Sequence, residues 1–119
     1  MIELVEKLSA GNHPVQANRP DKTAKALKER IDLGYVHILF KETGTELGIK
    51  LNKNYCDFTR ADFDTGDGIL HIEGGVTLNY EKVKCVADIT LKTMEGIGFL
   101  VPVNKEEYDA LMNNSNTEV

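Results

Sequence analysis

A chain of 119 residues with 41% apolar and 28% charged side chains has room for one soluble domain around one ordinary core. Tryptophan is absent and Phe and Tyr number four each, so that core must rest on Val, Ile and Leu. The net charge of −5 is uneven, with +2 over residues 1–60 and −7 over residues 61–119. An acidic half with scattered cations argues against a nucleic-acid surface, which needs clustered Lys and Arg.

No apolar run approaches the roughly 20 residues that span a bilayer, and MIELVEKLSAG, with Glu3 and Glu6, does not read as a signal peptide. Cytoplasmic residence is therefore the expectation. Cys56 and Cys85 fit it as free thiols, Cys85 as a small buried hydrophobe.

In chain order, Ile2, Val5 and Leu8 recur at helical spacing, and Gly11 is placed to end a short helix. NHPVQANRP, with two prolines, two asparagines and no periodicity, reads as a loop. Pro20 and Asp21 then open a second helix, with Ala24, Leu27 and Ile31 as its stripe, Asp21 as its cap and Gly34 as its stop.

From Tyr35 the period changes to two. Val36, Ile38 and Phe40 share one face, as do Leu47, Ile49 and Leu51, and ETGTE between them predicts a hairpin. NKNYCDFTRADFDTGDG is a long polar connection, of the kind that is functional, mobile or partly ordered by structure of its own. Leu70, Ile72, Val76, Leu78 and Tyr80 then occupy even positions, whereas Val83, Cys85, Ala87, Ile89 and Leu91 occupy odd ones. That shift predicts a strand bulged at Gly74-Gly75 and a hairpin turn near NYEK, with a turn at the glycines as the competing reading.

After a turn at KTMEG, Ile97, Phe99, Val101 and Val103 share one apolar face of a last strand, where Pro102 marks an edge or a strand end. NKEEYDALM carries Asn104 and Glu107 at capping-box spacing before a short helix. The class is α+β: two short N-terminal helices, a curved antiparallel sheet of five to six strands, and one short C-terminal helix. One domain over 1–113 and a disordered tail over 114–119 complete the expected organisation.

Strand parity puts His37 and His71 opposite the apolar set. Tyr35, His37, His71 and Glu73 then form a ligand or partner surface beside the acidic 57–67 loop. His71 and Glu73 lie two apart on one face, and with Tyr35, His37, Tyr80 and Asp88 they are the candidates for acid–base chemistry. Asp62, Asp64 and Asp67 echo a calcium loop, with Glu73 at the twelfth position, but Gly66 and Asp67 stand where a ligand and a glycine are needed. The histidines and cysteines show no zinc spacing. Arg19, Lys22, Lys25 and Lys28 make a basic helix face, whose ordinary role is solvation.

The function this predicts is a small cytosolic accessory or binding protein, non-catalytic and without cofactor. It would act through a protein partner or self-association, with neither nucleic acid nor membrane. A small-molecule pocket inside the curved sheet, with or without acid–base chemistry, is the alternative, and a weak calcium loop at 62–67 is the third reading.

Overall fold

The computed structural model describes residues 3–17, 23–78 and 81–112. Ile2, Arg19, Pro20, Asp21, Lys22, Tyr80 and the 114–119 tail lie outside them. Three helices are described, α1 (Glu3–Ser9), α2 (Ala24–Leu33) and α3 (Lys105–Met112). The strands are β1 (His13–Ala17), β2 (Tyr35–Phe40), β3 (Thr45–Leu51), β4 (Ala61–Asp62), β5 (Asp67–Leu78), β6 (Glu81–Thr90) and β7 (Glu95–Pro102).

Six of these strands close on themselves. The order β3-β2-β1-β7-β6-β5 is antiparallel throughout, and β5 returns to pair with β3, so the curved sheet is a barrel with the two-residue β4 appended to β5. Its interior is filled by Val15, Val36, Ile38, Phe40, Ile49, Leu70, Ile72, Cys85 and Ile89, all fully buried in one core cluster. α1 packs against β7 and contributes Val5 and Leu8 to that cluster, while α2 packs against β2 and contributes Leu27 and Ile31. α3 lies against β5 and β6. Among the described residues no helix is long and apolar enough to cross a membrane.

The helix ends follow local chemistry. Thr23, not Asp21, caps α2: its Oγ1 accepts from the Ala26 N–H at 3.1 Å, and Gly34 closes the helix in the left-handed region at φ 86°. The capping box of α3 is reciprocal, since Glu107 N–H donates to Asn104 Oδ1 at 2.7 Å and Asn104 N–H donates to Glu107 Oε1 at 3.0 Å.

Two strand expectations are corrected. NHPVQANRP is not all loop, because His13–Ala17 is the strand between β2 and β7. Pro14 sits near its start and still offers its carbonyl to the Lys41 N–H at 3.1 Å, while Val15 and Ala17 point inward. Nor is there a bulge at Gly74-Gly75. The β5–β6 ladder runs unbroken from Ile69↔Thr90 to Leu78↔Glu81, so every even residue of β5 faces an odd residue of β6. The phase shift in the sequence is therefore the arithmetic of a two-residue connection.

In β7, Ile97, Phe99 and Val101 share a face as expected, and it is the outer one, with Ile97 47% exposed. The inner positions are Gly96, Gly98 and Leu100. A Cβ on Gly98 would lie 3.2 Å from both the Ala87 Cβ and Val15 Cγ1, so a narrow barrel leaves no space for a side chain there. Pro102 ends the strand, as one of its two readings required.

The glycine pair has a different purpose from bulging. β3 meets β5 only at Lys50↔Gly75 and Leu51↔Gly74. A Cβ on Gly74 would collide with the Lys50 carbonyl of the facing strand, whereas one on Gly75 would meet the Leu111 and Met112 side chains of α3. Backbone in a closed seam cannot yield without parting it; side-chain ends can rotate. Gly74→Ala is expected to lower stability by about 2–3 kcal/mol and Gly75→Ala by less than about 1 kcal/mol in urea unfolding. Equal losses would contradict a backbone-limited seam.

Candidate functional site on the outer sheet face

The outer face of β5 carries Asp67, Ile69, His71 and Glu73 in succession, and that of β6 carries Lys84, Val86, Asp88 and Thr90. Register brings His71 opposite Asp88. His71 Nδ1 lies 2.8 Å from Asp88 Oδ1, and Nε2 lies 2.7 Å from Glu73 Oε2. Ionised carboxylates only accept hydrogen bonds, so a ring held between two of them donates from both nitrogens and is an imidazolium. Lys84 Nζ extends the chain, 3.3 Å from Glu73 Oε1 and 5.9 Å from the centroid of the Tyr55 ring.

Partial burial works against charge on His71. The hydrogen bonds it donates to Glu73 and Asp88 outweigh it, and the pKa is raised above its ordinary 6.5. Neither ring nitrogen has a free lone pair, so the ring cannot serve as a general base unless a carboxylate leaves it.

The long connection is a strap across the edge of β5. Once β3 departs at Leu51, Asn52 N–H donates to the Glu73 carbonyl at 2.9 Å, and Asp57 and His71 exchange backbone hydrogen bonds of 2.9 and 3.0 Å. Cys56 Sγ lies 3.5–3.6 Å from the Glu73 backbone N and O. Phe58 and Phe63 pack on the core from the strap, their ring centroids 6.5 Å apart. Burial raises the Cys56 thiol and pushes the Cys85 thiol up to about 12, so neither is primed as a nucleophile.

The acidic residues of the strap are occupied locally. Asp57 Oδ1 accepts from the Thr59 hydroxyl at 2.7 Å and its N–H at 2.9 Å, and these bonds hold the carboxyl below its usual range. Asp62 Oδ1 accepts from the Asp64 and Thr65 N–H groups at 3.0 and 3.2 Å, which closes the β4–β5 turn. Among the described residues no three His, Cys, Asp or Glu side chains converge to hold a metal. Asp62, Asp64 and Asp67 are thus brought into one turn but not into a ligand set.

Of the expected surface, His71, Glu73 and Asp67 share one face of β5. Tyr35 and His37 stand apart on β2, with β3 between them and β5; their rings lie 6.5 Å apart, and a Cβ on Gly48 would come within 2.9 Å of the Tyr35 ring. Lys84 and Cys56 were not legible as partners of Glu73, nor Tyr55 as a partner of Lys84. For Asp88 a signal existed, because a two-residue hairpin connection after Leu78 places residue 88 opposite residue 71. A scan against protein-family models found no match to this chain, and a search of curated proteins found none either.

A folded-state pKa above the unfolded value means that the His71 contribution to stability is complete below about 6.5 and is lost as pH rises through the higher folded value. Wild-type protein is therefore expected to melt lower as pH is raised from 6 to 9, and His71→Gln to lose that slope. A slope unchanged in the variant would contradict the assignment of the charge to His71.

Proposed function

We propose that this is a non-catalytic binding protein that receives a basic, partly apolar segment of a partner polypeptide on the outer face of β5, β6 and β7. The supporting observation is that exposed apolar side chains stand around fixed charges. Ile69 is 38% exposed beside His71, and Ile97, opposite Asp88 in the β6–β7 register, is 47% exposed. Protein-recognition surfaces combine such anchors with preset charge.

Charge selects the occupant. Asp67, Glu73, Asp88 and Glu95 outnumber His71, Lys82 and Lys84 on this face, and Glu95 already draws Lys41 Nζ to 3.3 Å. A second copy would bring carboxylates against carboxylates, whereas a segment rich in Lys or Arg complements them. Filling of the barrel interior by side chains moves recognition to the outside.

A second reading rests on a cleft of about 300 Å³ between α3 and β6, lined by Tyr55, Lys84, Val103, Glu107, Ala110 and Leu111. A small molecule with an apolar body and a charged end would fit it, and would stabilise the protein by mass action in a thermal-shift screen.

The docking face is tested by titrating isotope-labelled protein with a lysine- and leucine-rich peptide and with its glutamate-for-lysine counterpart. The basic peptide is expected to shift the amides of Ile69, Asp88 and Ile97, and Ile97→Ser, an exposed change of small cost to folding that removes the apolar anchor without altering charge, is expected to weaken the effect at least tenfold. Shifts confined to the α3 cleft or to β2 would contradict the proposal. So would a concentration-dependent dimer that Ile97→Ser dissolves, which would assign the face to a second copy.

A further inference from the structure

The strap and the charged network meet on the same two residues. His71 and Glu73 give their backbones to Asp57 and Asn52 of the strap and their side chains to the shared proton. β3 pairs with β5 only at positions 74 and 75, so over residues 71–73 the strap stands in for a missing neighbour strand. It also carries Phe58 and Phe63, which pack against the core. We infer that His71 is a pH-set latch: its imidazolium fixes the β5 segment to which the strap is stitched, and loss of the ring proton loosens the strap from the barrel.

The charged groups around the ring are few, and each has a defined effect. On β5, Glu73 accepts from Nε2; on β6, Asp88 accepts from Nδ1, and Lys84 faces Glu73 from the other side at 3.3 Å. On β7 the residue opposite Asp88 is the uncharged Ile97. From the strap, Asp57 is turned onto Thr59 and Cys56 touches the Glu73 backbone as a neutral thiol, while Arg60 acts on Asp57.

A neutral imidazole has one N–H and one lone pair. After deprotonation, one of the two carboxylates therefore faces a lone pair at less than 3 Å, and Glu73 and Asp88 lose the cation between them. Lys84 reaches Glu73 only. The strain falls on β5 between residues 71 and 73, where the strap is attached. Burial raises the Cys56 thiol above its ordinary 9.0, so it stays neutral while His71 gives up its proton.

Amide hydrogen exchange, corrected for the intrinsic effect of pH, tests this directly on the intact chain. Between pH 5.5 and pH 8.5 the protection of the Asn52, Asp57 and His71 amides is expected to fall at least tenfold relative to amides of the β6–β7 ladder. His71→Gln should abolish that relative fall. Should that variant not fold, Asp88→Asn removes one charge from the network, and the midpoint of the fall should move to lower pH together with the His71 ring titration followed by NMR. Strap protection that is constant with pH would overturn the latch. It would equally be overturned by a parallel loss in β6–β7, by a fall that persists in His71→Gln, or by a midpoint that ignores Asp88→Asn.

Discussion

Two residue pairs, Lys50↔Gly75 and Leu51↔Gly74, turn a six-stranded sheet into a barrel, and the rest of the structure depends on that closure. Without it, β3 and β5 would be edges with unpaired backbone groups, and the apolar inner face would lie open. The seam is this short because β3 ends at Leu51, after which the chain must cross β5. Asn52 and Asp57 continue the pairing with β5 as it leaves the seam. Residues 71–75 of β5 accordingly carry the closure, the strap, the seat of α3 and the charged network together.

That concentration explains the division of labour between the two sides of the sheet. A six-stranded barrel encloses little volume, and here side chains fill it, with glycines on β7 where even a methyl group would crowd. Chemistry is left to the outside. The His71 network is satisfied within itself: ring, two carboxylates and an ammonium are joined in one chain, which suits recognition or regulation better than proton transfer. The apolar residues that β7 turns outward flank this charge, and the proposed docking role would account for them.

The sequence was informative wherever the signal was local. Helical spacing in Val5 and Leu8, the Asn104–Glu107 box, the β2–β3 hairpin and the outward parity of His71 are all properties of a few adjacent residues, and all hold in the structure. What was illegible depends on distant neighbours. β1 has two inward apolar residues and a proline, too little to read as a strand, and it forms because β2 and β7 both offer it ladders. Alternation groups Ile97, Phe99 and Val101 on one face of β7 but does not say which side that face takes, and the inside has room only for glycine at 96 and 98. Gly74-Gly75 reads as a break in any single strand, and only the approach of β3 shows that it is a contact. Within the site, parity joined His71 to Glu73, but Lys84 and the strap came from pairings that no local pattern encodes.

Long-range NMR contacts across the seam test the closed barrel most directly. Closure predicts nuclear Overhauser effects between the backbone protons of Leu51 and Gly74 and of Lys50 and Gly75, alongside those of the β5–β6 and β1–β7 ladders. A spectrum with every other ladder intact but no contact between β3 and β5 would describe an open sheet, and would contradict both the filled interior and the strap that spans the gap.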